Sequence, residues 1–234
     1  HIYDPRITKI NDDYFIIVAL DLDIGCRLGL IKTKDFEYFE FKGIISSNDN
    51  RNGVLFPEKI NNKFVRLERP NNAKGEGVLS GNQIHISNSN DCINWTNSNI
   101  LLEGNHHFWD ELIGAGTPPI KTIIGWLFLY HGVATHFSSS NIYQVGVAIL
   151  DIKNPNKLLY RSTKNILEPR ELYEQVGQVG NVVFPTGMIV ENYNEDGYAE
   201  IDSKVNIYYG AADTCVGLAF TTVGELIKMA KNEI

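Results

Sequence analysis

The chain has 234 residues, of which 43% are hydrophobic and 21% charged; this composition is that of a globular protein and excludes disordered and fibrous classes. Its longest apolar runs fall short of the roughly 20 residues that span a bilayer. A net charge of -7 without a clustered basic run argues against nucleic acid or an anionic membrane as a partner. We therefore expect a soluble protein whose partner is a small molecule.

The cysteines are few and unpaired in sequence: Cys26, Cys92 and Cys215 show no CxxC spacing. An odd number of this kind suits a reducing compartment better than a disulfide framework. We expect a cytoplasmic protein in which each cysteine is a small buried hydrophobe.

Four segments share one outline along the chain, in which a short proline-containing apolar stretch is followed by a polar turn and an apolar-aromatic strand. They are DPRITKINDDYFIIVALD from residue 4, LFPEKINNKFVRLERP from residue 55, GTPPIKTIIGWLFLYHGV from residue 116, and VFPTGMIV from residue 183, which resumes as VNIYYGAAD. Each is followed by a second strand with alternating apolar positions, namely RLGLIKTKDF, GNQIHISNSND, YQVGVAILD and VGLAFTTVGEL.

Repeats about 50 to 65 residues apart, each with several short strands, predict an all-β chain folded as a β-propeller of about four blades. An irregular β-sandwich or jelly roll is the alternative. Only the end of the chain, VGELIKMAKNEI from residue 223, has a helical pattern, with Leu226, Ile227, Met229 and Ala230 forming a loose apolar stripe. We expect this helix to pack on the outside or to close the ring.

Corresponding ends of the inner strands of a propeller meet at one mouth of the central channel. The matching positions in these repeats hold charged or titratable side chains: Asp4, Arg69, Lys121, His131 and Asp213. Clustered cations form a site for an anion, a nearby carboxylate can act as a general acid, and aromatic side chains can support a sugar ring. Plainer roles stay open, with Asp4 as a turn residue before Pro5 and the aromatic residues as core.

Several blocks together resemble those of a known family. YDPRIT, RNGVLFPEKINNKFVRLERP, GAGTPPIKT with GWLFLYHGV, and GNVVFPTGMIVE with YYGAAD are similar, in this order, to the recurring blocks of glycoside hydrolase family 130. That family comprises five-bladed β-propellers and includes β-mannoside phosphorylases. The resemblance implies that residues 1–234 are a single catalytic propeller domain of the five-bladed type, lacking the N-terminal blade.

The resemblance also implies a role for each matching residue. Asp4 is the catalytic acid, whose proton reaches the departing oxygen through a hydroxyl of the mannosyl unit. Tyr3 and Asp213 bind the sugar. A polar set binds inorganic phosphate: Arg51, Asn52, Arg69, Lys121, His131 and Tyr143.

The activity implied in this way is inverting phosphorolysis of a β-mannoside, either a mannosyl-glucose or a manno-oligosaccharide, to α-mannose 1-phosphate and a shortened sugar. Phosphate is a co-substrate and no cofactor is expected. One protein carboxylate suffices because phosphate replaces the water and general base of an inverting hydrolase. A β-mannosidase of the same fold and a non-catalytic sugar-binding propeller are the alternatives.

Other features receive weaker assignments. Arg6 is expected either to orient Asp4 or to form a structural pair with Asp21 or Asp23. Adjacent His106 and His107 are expected to face opposite sides of a strand, so no metal site is expected there. Residues 71–77 and 105–112 are candidates for selecting the acceptor sugar. A missing blade would expose an edge strand that a homo-oligomer would cover.

Overall fold

The computed structural model describes residues 1–71, 81–135 and 140–233, which form four antiparallel sheets and two helices. Sheet 1 contains β1 (Ile2–Ile10), β2 (Asp13–Leu22), β3 (Gly25–Thr33) and β4 (Glu40–Ile44). Sheet 2 contains β5 (Asn50–Leu55), β6 (Phe64–Pro70), β7 (Gln83–Ser89) and β8 (Trp95–Glu103). Sheet 3 contains β9 (Leu112–Ala115), β10 (Ile120–Lys121), β11 (Trp126–Ala134), β12 (Ile142–Leu150) and β13 (Leu158–Arg161).

Helix α1 (Leu172–Gln175) precedes sheet 4, which contains β14 (Val183–Val190), β15 (Lys204–Ala211) and β16 (Cys215–Thr222), and helix α2 (Val223–Lys231) follows it. In sheets 1, 2 and 4 each strand pairs with its neighbours in chain order, so these sheets are meanders; sheet 3 follows the same order from β10 to β13, and β9 also pairs with β11. The predictions of an all-β fold, a four-bladed propeller-like arrangement and a short C-terminal helix are confirmed.

Inner strands of sheets 1, 2 and 4 are continuous, whereas the inner strand of sheet 3 is broken. Its two pieces, β9 and β10, pair with opposite ends of β11. The interruption falls on the sequence GTPP, where two prolines lack the N–H that a ladder requires. The inner strand therefore reaches both ends of the channel while leaving a gap in the middle.

The core lies between adjacent sheets, and β11 shows how the sequence builds it. Leu127 and Leu129 face the cluster shared with sheet 4, while Trp126, Phe128 and Tyr130 face the cluster shared with sheet 2. Successive strand residues point to opposite faces, so a strand buried on both faces is an almost continuous apolar run. A third cluster joins sheets 1 and 2.

Helix α2 packs outside the sheets, against β12, β13 and β16. Of the two predicted placements, packing on the outside and closing the ring, the structure shows the first. A capping box begins the helix, since the Thr222 hydroxyl accepts from the Glu225 N–H and the Glu225 carboxylate accepts in return. Asn232 ends it in the left-handed conformation. The side chain of Asn232 also accepts from the Thr163 N–H at 2.7 Å, which ties the helix to sheet 3.

The cysteine prediction is partly wrong. Cys26 and Cys92 are buried, whereas Cys215 is exposed at the first position of β16. Among the described residues, no helix combines the length and the apolar character needed to cross a membrane.

Candidate active site

A cavity of about 270 Å³ opens at one end of the channel, where inner strands β1, β5 and β14 begin. Eight of the nine site residues predicted from the sequence line it: Tyr3, Asp4, Arg51, Asn52, Arg69, His131, Tyr143 and Asp213. Phe184, Val179 and Val182 complete the wall. The structure therefore brings together side chains that are up to about 200 residues apart in the sequence.

Bulges in the inner strands aim several of these side chains into the cavity. The register of β1 against β2 shifts between Tyr3 and Arg6, and that of β5 against β6 shifts between Arg51 and Val54. Asp4 and Asn52, inside these bulges, have φ of 54° and 51°. A bulge re-aims a side chain at the cost of local strain, and such strain is concentrated at functional sites.

Asp213 reaches the cavity by a third irregularity. It follows β15, and both Ala212 and Asp213 adopt left-handed conformations, with φ of 46° and 49°. Burial raises the pKa of Asp213, and the nearby charge of Asp4 raises it further. The two carboxylates therefore share one electrostatic environment, in which the second negative charge is disfavoured.

A group of buried polar atoms around the cavity has no hydrogen-bond partner among the described residues. It consists of Arg6 Nη2, Arg51 Nε, Asn52 Oδ1, Arg69 Nε and both ring nitrogens of His131. Buried polar groups are almost always paired, because leaving one unpaired costs roughly 1–3 kcal/mol. This concentration at one place makes the cavity the candidate binding site.

Burial and neighbouring cationic charges lower the pKa of two residues of this group. Burial lowers the pKa of Arg69, and the charge of Arg51 lowers it further. Burial also holds the pKa of His131 well below its ordinary value, with Arg69 and Arg6 adding to the shift. His131 is therefore a neutral imidazole at neutral pH and has one N–H to donate.

Close packing fixes the orientation of His131. Its ring centroid lies 4.6 Å from that of Phe184 and 6.0 Å from that of Tyr143. Gly114, directly across the β9–β11 ladder, allows this approach, since a Cβ there would overlap both the His131 ring and Asn52 Oδ1. The glycine therefore sets the distance between two of the polar groups that face the cavity.

Arg6 lies beneath the cavity, and the predicted pairing with Asp21 or Asp23 is wrong. The Arg6 side chain is 1% exposed, and its Nε donates to the Gly116 carbonyl at 2.6 Å. Its guanidinium carbon lies 5.1 Å from the centre of the Phe184 ring. Burial lowers the pKa of Arg6 to about 10 although the charge of Asp4 opposes the shift. Arg6 thus remains cationic at neutral pH and adds positive potential from below.

Tyr3 forms one side of the cavity and is held from behind. Its hydroxyl donates to Asp21 Oδ1 at 2.8 Å and lies 3.5 Å from Cys26 Sγ. Burial raises the pKa of Tyr3, and the hydrogen bonds with Cys26 and Asp21 raise it further. The phenol therefore stays protonated, and its ring is available to a ligand as an apolar surface.

Lys121 is the one predicted site residue that the structure places elsewhere. Its Nζ lies 3.1 Å from Glu58 Oε1 and 4.7 Å from the centre of the Tyr198 ring. Lys121 pairs with Trp126 at the beginning of β11, while His131 is five residues further on, or about 17 Å at strand rise. The expectation that Lys121 joins the basic cluster is corrected, because Lys121 is the last residue of the inner strand, opposite the start of β11, and so lies at the other end of the channel.

A larger cavity, of about 780 Å³, lies between sheets 1 and 2. It too contains a buried arginine, but Arg66 Nη2 is 2.5 Å from Glu68 Oε2. Asn50 Nδ2 and Ser98 Oγ donate to the same carboxylate at 2.7 and 3.0 Å. Since the charge here is already neutralised by the chain, we place the functional site in the smaller cavity.

Sequence reasoning missed the supporting residues. Phe184 belongs to the VFPT block and was visible as a repeat of Phe56 in the LFPE block, although nothing marked it as a cavity residue. Asp21 and Cys26, behind Tyr3, come close only through the β2–β3 pairing. Val179 precedes sheet 4 and carries no sequence signal.

The fold and the site together define a class: a β-propeller with a cation-rich cavity, flanked by two carboxylates, at one mouth of its channel. A family model described as beta-1,4-mannooligosaccharide phosphorylase matches residues 1–232. The chain belongs to glycoside hydrolase family 130, as its sequence blocks predict.

Characterised relatives are similar over nearly all of this chain. A beta-1,4-mannooligosaccharide phosphorylase from Ruminococcus albus is 35% identical over 230 residues, which are 98% of this chain and 65% of that protein. A beta-1,2-mannobiose phosphorylase from Listeria innocua is 35% identical over 233 residues, which are 99% of this chain and 61% of that protein. The chain thus spans somewhat less than two thirds of the length of these relatives.

A solved structure gives the same result for the fold. The Listeria innocua beta-1,2-mannobiose phosphorylase, solved with beta-1,2-mannobiose, superposes with a TM-score of 0.86 at 35% identity, covering 98% of this chain and 60% of that one. A glycosyl hydrolase from Bacteroides ovatus superposes with a TM-score of 0.77 at 21% identity, covering 94% of this chain and 65% of that one, and at that identity it supports the fold alone.

Proposed function

We propose that the chain catalyses, in its natural protein, the inverting phosphorolysis of a β-mannoside to α-mannose 1-phosphate and a shortened sugar. The observation that carries the proposal is the set of unpaired buried cationic and polar atoms beside two carboxylates in one cavity. Relatives 35% identical to the chain are named as phosphorylases of mannooligosaccharides and of mannobiose, which supports the same reaction.

Phosphate is assigned to the side of the cavity formed by Arg51, Asn52, Arg69, His131 and Tyr143. Guanidinium groups give charge-assisted hydrogen bonds to phosphate oxygens, and the neutral His131 contributes one further N–H. No ion pair neutralises Arg51 or Arg69 among the described residues, so a phosphate dianion would replace the missing counter-charge. Inorganic phosphate is thus the co-substrate, and no other cofactor is proposed.

The mannosyl unit is assigned to the part of the cavity that Tyr3 and Asp213 line, next to the Arg51 guanidinium, whose central carbon lies 6.0 Å from the centre of the Tyr3 ring. Asp213 accepts hydrogen bonds from sugar hydroxyls, and the Tyr3 ring contacts the apolar face of the sugar. Asp4 donates a proton, through a mannosyl hydroxyl, to the glycosidic oxygen as its bond to the anomeric carbon breaks. A phosphate oxygen bonds to that carbon from the other face, and the proton that phosphate gives up restores Asp4.

A second candidate is hydrolysis of the same β-mannosides, which the position of Asp213 favours. An inverting hydrolase needs one carboxylic acid and one carboxylate base with room for water between them. Asp213 shares the cavity with Asp4, and burial and the charge of Asp4 raise its pKa. The surplus of unpaired cations nevertheless favours an anionic nucleophile over water.

For the fold, we propose that the four sheets belong to a five-bladed propeller whose remaining blade covers the outer face of sheet 4. On β16 the alternating residues Val216, Leu218 and Phe220 are 76%, 54% and 71% exposed. Apolar side chains that alternate along a strand are typical of a face that packs against another sheet. A second copy of the chain is the alternative cover, and the free thiols support a cytoplasmic location.

The experiment is to incubate the protein with β-1,4-mannobiose or β-1,2-mannobiose, with and without inorganic phosphate, and to analyse the products. Phosphate-dependent formation of mannose 1-phosphate is expected. Release of free mannose at the same rate without phosphate would replace the proposal by hydrolysis. Binding of the disaccharide without turnover, by a protein that includes the additional length of the relatives, would replace it by a sugar-binding role.

A further inference from the structure

The connection between β8 and β9 brings two histidines and a glutamate together. Ligand atoms of His106, His107 and Glu111 all lie within 4.8 Å of one another. The ring centroids of the two histidines are 3.7 Å apart, and His106 Nδ1 lies 2.9 Å from Glu111 Oε1. This cluster is outside the cavity described above and takes no part in the proposed reaction.

The expectation that adjacent histidines diverge fails because they are not in a strand. Residues 106 and 107 form a turn, and His107 has the left-handed conformation with φ of 57°. That backbone turns the His107 ring to the same side as the His106 ring, whereas strand geometry would separate them. Two imidazoles and one carboxylate therefore face a common point.

Glu111 is held in place before any ligand arrives. Its side chain is 6% exposed, its Oε2 accepts a short hydrogen bond from the Thr135 hydroxyl, and its Oε1 accepts from the His107 N–H at 3.3 Å. Such a hydrogen bond to a ligating carboxylate orients a metal ligand. His106 and His107 are exposed, so their rings can adjust to a bound ion.

The turn itself rests on a rigid base. Asn105 Nδ2 donates to Asp110 Oδ1 at 3.0 Å, and the Asn105 N–H donates to the Asp110 carbonyl at the same distance. Arg161 Nη2 in turn lies 2.6 Å from Asp110 Oδ2. The chain between Asn105 and Asp110 is thus closed into a loop and fixed to sheet 3, which presents the two histidines at a defined place.

We propose that His106, His107 and Glu111 form a binding site for a divalent transition-metal ion of the zinc type, with water in the remaining coordination positions. Imidazole nitrogen selects zinc and its neighbours over magnesium and calcium, which prefer oxygen ligands. Leu112 pairs with Val133, two residues beyond His131, so the ion would fasten the loop at the rim of the cavity. The competing explanation is a simple His106–Glu111 hydrogen bond.

Calorimetric titration of the untagged protein with Zn²⁺, after treatment with a chelator, tests the site. One ion per chain is expected. His107→Asn keeps the left-handed backbone, which asparagine tolerates, and should abolish stoichiometric binding, as should His106→Ala. His85→Ala removes a histidine on β7, away from the cluster, and should leave the affinity unchanged.

A Thr135→Val variant sharpens the test, because it leaves the three ligands intact and removes only the support of Glu111. Loss of such a supporting hydrogen bond typically weakens metal affinity about 10- to 100-fold. Absence of stoichiometric Zn²⁺ binding by the wild type would overturn the proposal. Binding of Zn²⁺ by the His106→Ala and His107→Asn variants with the affinity of the wild type would overturn it too. In either case the His106–Glu111 hydrogen bond would remain as the explanation.

Discussion

Buried arginines occur in two regions of this protein, and the two regions differ in whether a carboxylate of the chain pairs with the arginine. Between sheets 1 and 2, Arg66 is neutralised by Glu68, which itself accepts from Asn50 and Ser98. At the mouth of the channel, Arg6 is just as deeply buried and Arg69 opens onto the cavity, yet the ion pairs of the described residues include neither. In the first region a carboxylate of the chain neutralises the guanidinium, and in the second we propose that a bound anion does so.

The difference separates structural charge from functional charge. A buried ion pair is costly to break but gives little net stability, because desolvation offsets its attraction. Buried cations without a partner keep their positive potential, which becomes binding free energy when an anion arrives. The larger cavity is therefore the weaker candidate, although its volume is almost three times that of the smaller one.

The largest expected effect comes from the carboxylate at the mouth. Asp4→Asn should lower the rate of phosphorolysis by about 10²- to 10⁴-fold, the usual contribution of a general acid. Initial rates of mannose 1-phosphate formation measure it. Asp13→Asn, which removes the partner of Lys32 far from the cavity, is the control and should retain the wild-type rate. A rate for Asp4→Asn within threefold of wild type would remove Asp4 from the mechanism.

The second-largest effect is expected at the ion pair between Arg66 and Glu68. Glu68→Gln leaves the Arg66 cation buried and unpaired, so the free energy of unfolding should fall by about 3–5 kcal/mol. Denaturant unfolding followed by fluorescence measures the change. An unchanged free energy of unfolding would show that the Arg66 guanidinium, in the larger cavity between sheets 1 and 2, does not need the Glu68 carboxylate. The two regions would then not differ in how their arginines are stabilised.

His131 should make stability depend on pH below about pH 6.5. Its folded-state pKa is depressed by burial and by Arg69 and Arg6, so the unfolded chain binds the proton first as the pH falls. The free energy of unfolding then falls as the pH falls, and His131 contributes at most about 1.4 kcal/mol of this loss per pH unit. Above about pH 6.5 His131 adds no pH dependence.

Unfolding midpoints between pH 7.5 and 5 test this dependence. The His131→Gln variant should lose the extra slope, whereas the exposed His107→Asn variant, measured with a chelator present, should keep it. Identical slopes in the wild type and His131→Gln would show that the imidazole takes up its proton as readily in the folded protein as in the unfolded chain.

The smallest effect is expected at Lys121, which sequence reasoning placed at the mouth and the structure does not. Lys121→Met removes a partly exposed pair with Glu58, so stability should change by no more than about 1 kcal/mol. The phosphate concentration for half-maximal rate should stay within about twofold of wild type. A large rise in that concentration would return Lys121 to the phosphate site.

Much of the fold and most of the site could be predicted from the sequence. Repeated strand blocks gave the propeller, and family blocks gave eight residues that converge in space. The predicted position of Lys121 was wrong because this residue ends the inner strand of sheet 3, at the end away from the mouth, and that register appears only in the pairing with β11. Arg6 and the histidine turn were misjudged because bulges and left-handed residues change where neighbouring side chains point.

Calorimetric titration of inorganic phosphate into the wild type and the Arg69→Met variant, with Lys121→Met as the control, tests the central claim most directly. Charged hydrogen bonds contribute about 1.5–3 kcal/mol, so the variant should bind phosphate about 10- to 100-fold more weakly, while the control should match the wild type. Equal affinity for phosphate in the wild type and Arg69→Met would contradict the assignment of the mouth cavity as an anion site.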